Sequence, residues 1–81
     1  MARLKRLTSR EVLSILRGVG FEVVSIRGSH AKLVRVTASE GRQVLTVPVH
    51  AELSVGTIRA IYRQASRFVD SAELQRKFYS G

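Results

Sequence analysis

Phe21-Glu22-Val23-Val24-Ser25-Ile26, Arg27-Gly28-Ser29-His30 and Ala31-Lys32-Leu33-Val34-Arg35-Val36 follow one another without a gap. The outer two runs are rich in β-branched residues and read as strands. Between them, Gly28 permits a positive φ and the Ser29 hydroxyl can bond to the local backbone, so the link reads as a tight basic turn. His30 then takes the first position of the second strand. A period of two puts His30 and Lys32 on one face, and Arg27 precedes His30 by three residues. An imidazole held beside cations suits the binding and cleavage of a phosphodiester. The same residues also suit a plain hairpin whose histidine decorates an edge, and spacing alone leaves both readings open.

Upstream, Thr8 and Glu11 have the spacing of a capping box, flanked by Leu7 and Val12 as a hydrophobic staple. Val12, Ile15, Leu16 and Val19 then recur at helical spacing, and Gly18 or Gly20 suits the stop. Downstream, Thr37-Ala38-Ser39-Glu40-Gly41 reads as a hairpin loop, and Arg42 to Val47 as a third strand ending at Pro48. The segment from Val49 to Leu53 is a connector. Ser54 is a candidate N-cap for a helix from Val55 to about Arg67. Its apolar stripe is Ile58, Ile61, Tyr62 and Ala65, and Arg59, Arg63 and Arg67 form a basic row at intervals of four. That row reads either as a solvated face or as a ridge that follows phosphates. Asp70 and Glu73 repeat the capping-box spacing ahead of a short last helix carrying Leu74 and Phe78. The order is helix, three strands, helix, helix. It predicts an α+β domain over residues 1–81, with helices on one face of a three-stranded antiparallel meander. This is the order of the double-stranded-RNA-binding type of fold.

Charge is the loudest feature of composition. Fourteen Lys and Arg against six Asp and Glu leave a net charge of +8 on 81 residues, a field that attracts polyanions. Nucleic acid is the first partner to consider and an anionic membrane surface the second. The absence of cysteine removes disulfides, thiolate metal sites and cysteine nucleophiles together. The basic start of the chain is followed by a polar amphipathic stretch, so no signal peptide is expected. No apolar run approaches the ~20 residues of a membrane span. The expected compartment is the cytoplasm.

The inventory for chemistry is short. His30 and His50 are the two histidines, too few for a zinc site without cysteines, even with Glu52 nearby. No phosphate-binding loop, dinucleotide fingerprint or nucleophile elbow is present. Neither a metal nor a cofactor is expected. What remains is histidine with arginine and lysine. Cleaving RNA without a metal requires a base for the ribose 2′-OH proton, an acid for the leaving oxygen, and cations for the charge gathering on phosphorus. Histidine can serve in either proton role near neutral pH, and fixed cations can stabilise the developing charge. His30 with Arg27, Lys32 and Arg35 answers that demand, and His50 is available for the other proton.

The residues also resemble the HicA toxins. Thr8-Ser9-Arg10-Glu11-Val12, Gly20-Phe21, Arg27-Gly28-Ser29-His30 and Lys32-Leu33 carry the likeness. It continues through Val47-Pro48, His50, Leu53, Gly56-Thr57-Ile58-Arg59-Ala60-Ile61 and Gln64-Ala65. The resemblance implies a metal-independent endoribonuclease that cuts mRNA without the ribosome and is held inactive by a HicB-type antitoxin. It implies that His30 is catalytic, presented by Gly28 and Ser29. On that reading the charges of Arg27, Lys32 and Arg35 neutralise phosphate, and Arg59 and Arg63 extend the RNA track. His50 also matches a family position, and reads either as an accessory residue or as the maker of a structural hydrogen bond. Ala31 stands where a second histidine often follows, and Ser66 where a glycine is common. The alternative is a module that binds structured RNA without cutting it.

Overall fold

A computed structural model describes residues 3–50 and 52–80. The elements run β1 (Arg3–Leu4), α1 (Ser9–Gly18), β2 (Glu22–Arg27), β3 (His30–Thr37), β4 (Gly41–Pro48), α2 (Val55–Ala65), α3 (Ser71–Phe78) and β5 (Tyr79–Ser80). Strands β2, β3 and β4 form an antiparallel sheet in that order, with α1, α2 and α3 packed on one face. The expected architecture is therefore observed. The pair β1–β5 was not expected from the sequence. It joins Leu4 to Tyr79 and Arg3 to Ser80, so the chain end after α3 returns to lie beside the start. Ala51 of the connector lies outside the described residues.

Both ends of α1 follow from local chemistry. The Glu11 amide donates to Thr8 Oγ1 at 3.2 Å and the Thr8 amide donates to Glu11 Oε1 at 2.9 Å, the reciprocal pair of a capping box. Leu7 and Val12 are both buried in the core beside it. At the other end the Phe21 amide reaches the Leu16 carbonyl and the Gly20 amide the Arg17 carbonyl, the two bonds of a Schellman motif. Gly20 adopts φ +102°, a conformation that L side chains avoid. Phe21 and Leu16, which this motif brings together, are both fully buried.

The hydrogen bonds from Thr8 hold the Glu11 carboxyl below its ordinary pKa, the backbone amide first and the hydroxyl second. A depressed carboxylate contributes stability that is present above its unfolded pKa and lost as pH falls through the folded one. Glu11→Gln is therefore expected to melt lower than the native chain at neutral pH. The gap should close in melts taken toward pH 3, and a gap independent of pH would contradict the assignment.

The core is a single layer between sheet and helices. Ala31, Leu33, Leu45 and Val47 from β3 and β4 meet Val12, Leu16, Phe21, Ile58, Ile61, Leu74 and Phe78. Ser54 caps α2 by accepting from the Thr57 amide at 3.1 Å. That helix ends at Ala65, two residues before the expected end, where the Ser66 hydroxyl donates back to the Tyr62 carbonyl. Asp70 caps α3 by accepting from the Ala72 amide at 2.9 Å; this is the expected cap in its one-sided form.

Candidate phosphate-binding face

The turn between β2 and β3 consists of Gly28 and Ser29, because Arg27 and His30 are directly paired. Gly28 has φ +56° and Ser29 does not enter the positive region. A positive first and a negative second residue is the pattern of a type II′ turn, whose twist matches that of the strands it joins. The turn therefore brings Arg27 and His30 face to face, three apart in sequence but with Cβ atoms about 5 Å apart as cross-strand neighbours.

Register then sorts the sheet into two faces. Arg27 pairs with His30, and His30 in turn with Pro48. The next rung is Ser25, Lys32 and Thr46, and the one after is Glu22, Val34 and Val44. These three rungs share the face away from the helices, and Val34, though buried, does not belong to the helix-side core. Between Val23 and Ser25 the register shifts by one residue, leaving Val24 as a bulge. Unbroken alternation from Arg27 would turn Glu22 toward the core and Val23 toward water. The bulge reverses both, which re-aims a strand at the cost of one ladder position.

On this open face Ser25, Arg27, His30, Lys32 and Thr46 line a shallow depression of roughly 360 Å³. All five are exposed. Arg27, His30 and Lys32, the sequence-derived candidates, are thus brought together. Ser25 and Thr46 were not anticipated. Hydroxyls gave no signal in a linear reading, and only the register shows them flanking Lys32. His50 sits one residue beyond Val49, whose amide donates to the Ser29 carbonyl. It is exposed, at the same end of the sheet as the turn.

Arg35 requires a correction. It pairs with Gln43, which is buried, on the helix side of the sheet. Its guanidinium donates to the Phe68 carbonyl at 3.0 Å and to Gln43 Oε1 at 3.5 Å, and lies 6.0 Å from the centre of the Phe21 ring. A Cβ on Gly20 would stand 3.2 Å from its Nε. Arg35 thus ties the segment after α2 to the sheet and is turned away from His30. Arg35→Ala is expected to lower stability by about 1.5–3 kcal/mol, the range for a hydrogen bond from a charged donor. Activity per folded molecule should stay unchanged, as shown by melts run beside RNA assays; a selective loss of activity would return Arg35 to the site. Arg59 and Arg63 are exposed on α2, in the helix layer behind the sheet, and do not line the depression.

Ala31 is fully buried on the helix side. A histidine at this position would point into the core and would not join His30. Among the described residues no three His, Cys, Asp or Glu side chains gather closely enough to hold a metal ion. No described helix is long and apolar enough to cross a membrane.

The model of a family described as HicA toxin of bacterial toxin-antitoxin matches residues 9–66. The chain belongs to the HicA toxin family. The matched span includes α1, the whole three-stranded sheet with its open face, and α2. A HicA toxin is one half of a toxin–antitoxin system, so an antitoxin is its partner. No curated relative and no solved structure matches the chain.

Proposed function

We propose that this HicA toxin is an endoribonuclease that cuts mRNA on the open face of its sheet, with His30 as the catalytic residue. The observation that carries this reading is the cross-strand pair Arg27–His30 with Lys32 on the next rung, all exposed on a face that the helices leave free. In the proposed reaction the ribose 2′-oxygen forms a bond to the adjacent phosphorus while the bond to the 5′-oxygen breaks. The 2′-OH proton passes to a base, and an acid protonates the leaving oxygen. His30 performs one transfer. His50, at the same end of the sheet, is the candidate for the other. The Arg27 guanidinium stabilises the charge that develops on the oxygens of the scissile phosphate, and the Lys32 ammonium on the next rung binds the RNA backbone beside it. These residues perform the cleavage without a metal ion or cofactor.

Gly28 and Ser29 present His30 through the II′ turn. Arg59 and Arg63 extend the electrostatic attraction over the helix layer, where they draw RNA in without touching the scissile bond. The antitoxin, of the HicB type, inhibits by covering the open face, since an acidic surface is attracted by the field that attracts RNA. The toxin works in the cytoplasm, where mRNA is, as one domain over residues 1–81.

The test is growth after induction of the chain alone, beside the His30→Ala variant at equal expression. Arrest by the first and normal growth with the second are expected. Equal arrest by both would remove His30 from catalysis. RNA retained uncut by the purified protein would favour the binding module.

A further inference from the structure

The second rung of the open face carries chemistry that the cleavage step leaves unused. Lys32 has Ser25 directly opposite on one side and Thr46 directly opposite on the other. An ammonium between two hydroxyls offers up to five hydrogen-bond donors on one exposed row. Such a row suits a tetrahedral anion with several acceptor oxygens. The row lies two residues along β3 from the Arg27–His30 pair, about 6.6 Å at the rise of an extended strand. That is comparable to the separation of successive phosphates along a single nucleic-acid strand.

We propose that the Ser25–Lys32–Thr46 row is a second phosphate subsite, so that the toxin grips two consecutive phosphates of one RNA strand running along β3. The inference rests on the reading of His30 as catalytic and adds the placement of the substrate. The scissile phosphate sits at Arg27 and His30, and its neighbour on one side sits over Lys32. The track stops there. The third rung presents the Glu22 carboxylate with Val34 and Val44, which repels or fails to solvate a third phosphate. At the other end the rungs give way to the Gly28–Ser29 turn. The grip is therefore two phosphates long and one-sided. Ser25 and Thr46 act as positioning residues in binding and take no part in the proton transfers.

The experiment uses short RNA whose cleavage site has been mapped, made with a neutral methylphosphonate in place of the phosphate on the 5′ or the 3′ side of the scissile one. With the native chain, one of the two substitutions is expected to lower kcat/KM about tenfold or more, and the other to have little effect. The loss should appear in KM, with kcat and its pH profile retained. In Lys32→Ala the same methylphosphonate should cost nothing further, and Ser25→Ala/Thr46→Val should show an intermediate sensitivity. If neither neighbour matters to the native chain, or if Lys32→Ala remains as sensitive as the native chain, the second subsite is wrong.

Binding without cleavage separates this result from the catalytic reading. With His30→Ala as the background, replacing Lys32 should reduce the salt dependence of RNA affinity by about one unit of slope. Removing the two hydroxyls should weaken binding at unchanged slope. An unaltered slope without Lys32 contradicts the subsite whether or not His30 proves catalytic. All three side chains are exposed, so the variants are expected to melt with the native chain.

Discussion

His30→Ala is expected to slow RNA cleavage by about 10²–10⁴-fold, the usual yield of general acid–base catalysis. It should leave the melting temperature unchanged. The reason for the second half is placement. His30 is exposed at the first position of β3, outside the core, and the turn geometry before it is set by Gly28. Arg27 and Lys32 remain in the variant, so RNA affinity should fall far less than the rate. A loss confined to KM would make His30 a binding residue. A loss that follows unfolding would make it structural. His50→Ala should give a smaller reduction than His30→Ala, measured on the same RNA at the same pH.

Phe21→Ala is expected to cost about 3–5 kcal/mol, the range for deleting a buried aromatic side chain. The site is demanding for three reasons. Phe21 is fully buried, its ring lies 6.4 Å from that of Phe68, and the Arg35 guanidinium rests near its face. It is also the residue that closes the Schellman motif of α1 on Leu16. A domain of this size has a total stability of roughly 4–12 kcal/mol at ordinary values per residue. A loss of that size is a quarter or more of the total, and the melting temperature should fall by about 12–40 °C. A sharp transition within 3 °C of the native one would show that the helix–sheet layer does not depend on Phe21.

Much of this arrangement is legible in the sequence where a residue type has few alternatives. Gly28 marks the turn because a left-handed first position suits glycine. Thr8 with Glu11 marks the start of α1 because the capping chemistry is specific to that spacing. Two glycines suit its end, and only the backbone conformation selects Gly20 over Gly18. His30 and Lys32 share a face by strand period alone. The same period separates Arg35 from them; grouping it with His30 by distance along the chain overlooked its parity. Ser25 and Thr46 could not be read in advance, since their proximity to Lys32 depends on the pairing of three strands and on the bulge at Val24. A bulge is one extra residue with no signature of its own in a run such as Val23-Val24. The β1–β5 pair escaped for a related reason: two residues are too few to show a period.

The most direct test of the open face as an RNA-cleaving site is the chemistry of the product ends. Purified protein is incubated with RNA of defined sequence, and with the same RNA carrying a single 2′-deoxyribose on the 5′ side of the mapped scissile bond. Transfer through the ribose 2′-oxygen predicts a 2′,3′-cyclic phosphate and a 5′-hydroxyl from the first, and no cleavage at that bond in the second. Fragments with 5′-phosphate ends, or unimpaired cutting beside the deoxyribose, would contradict a histidine-centred transphosphorylation on this face.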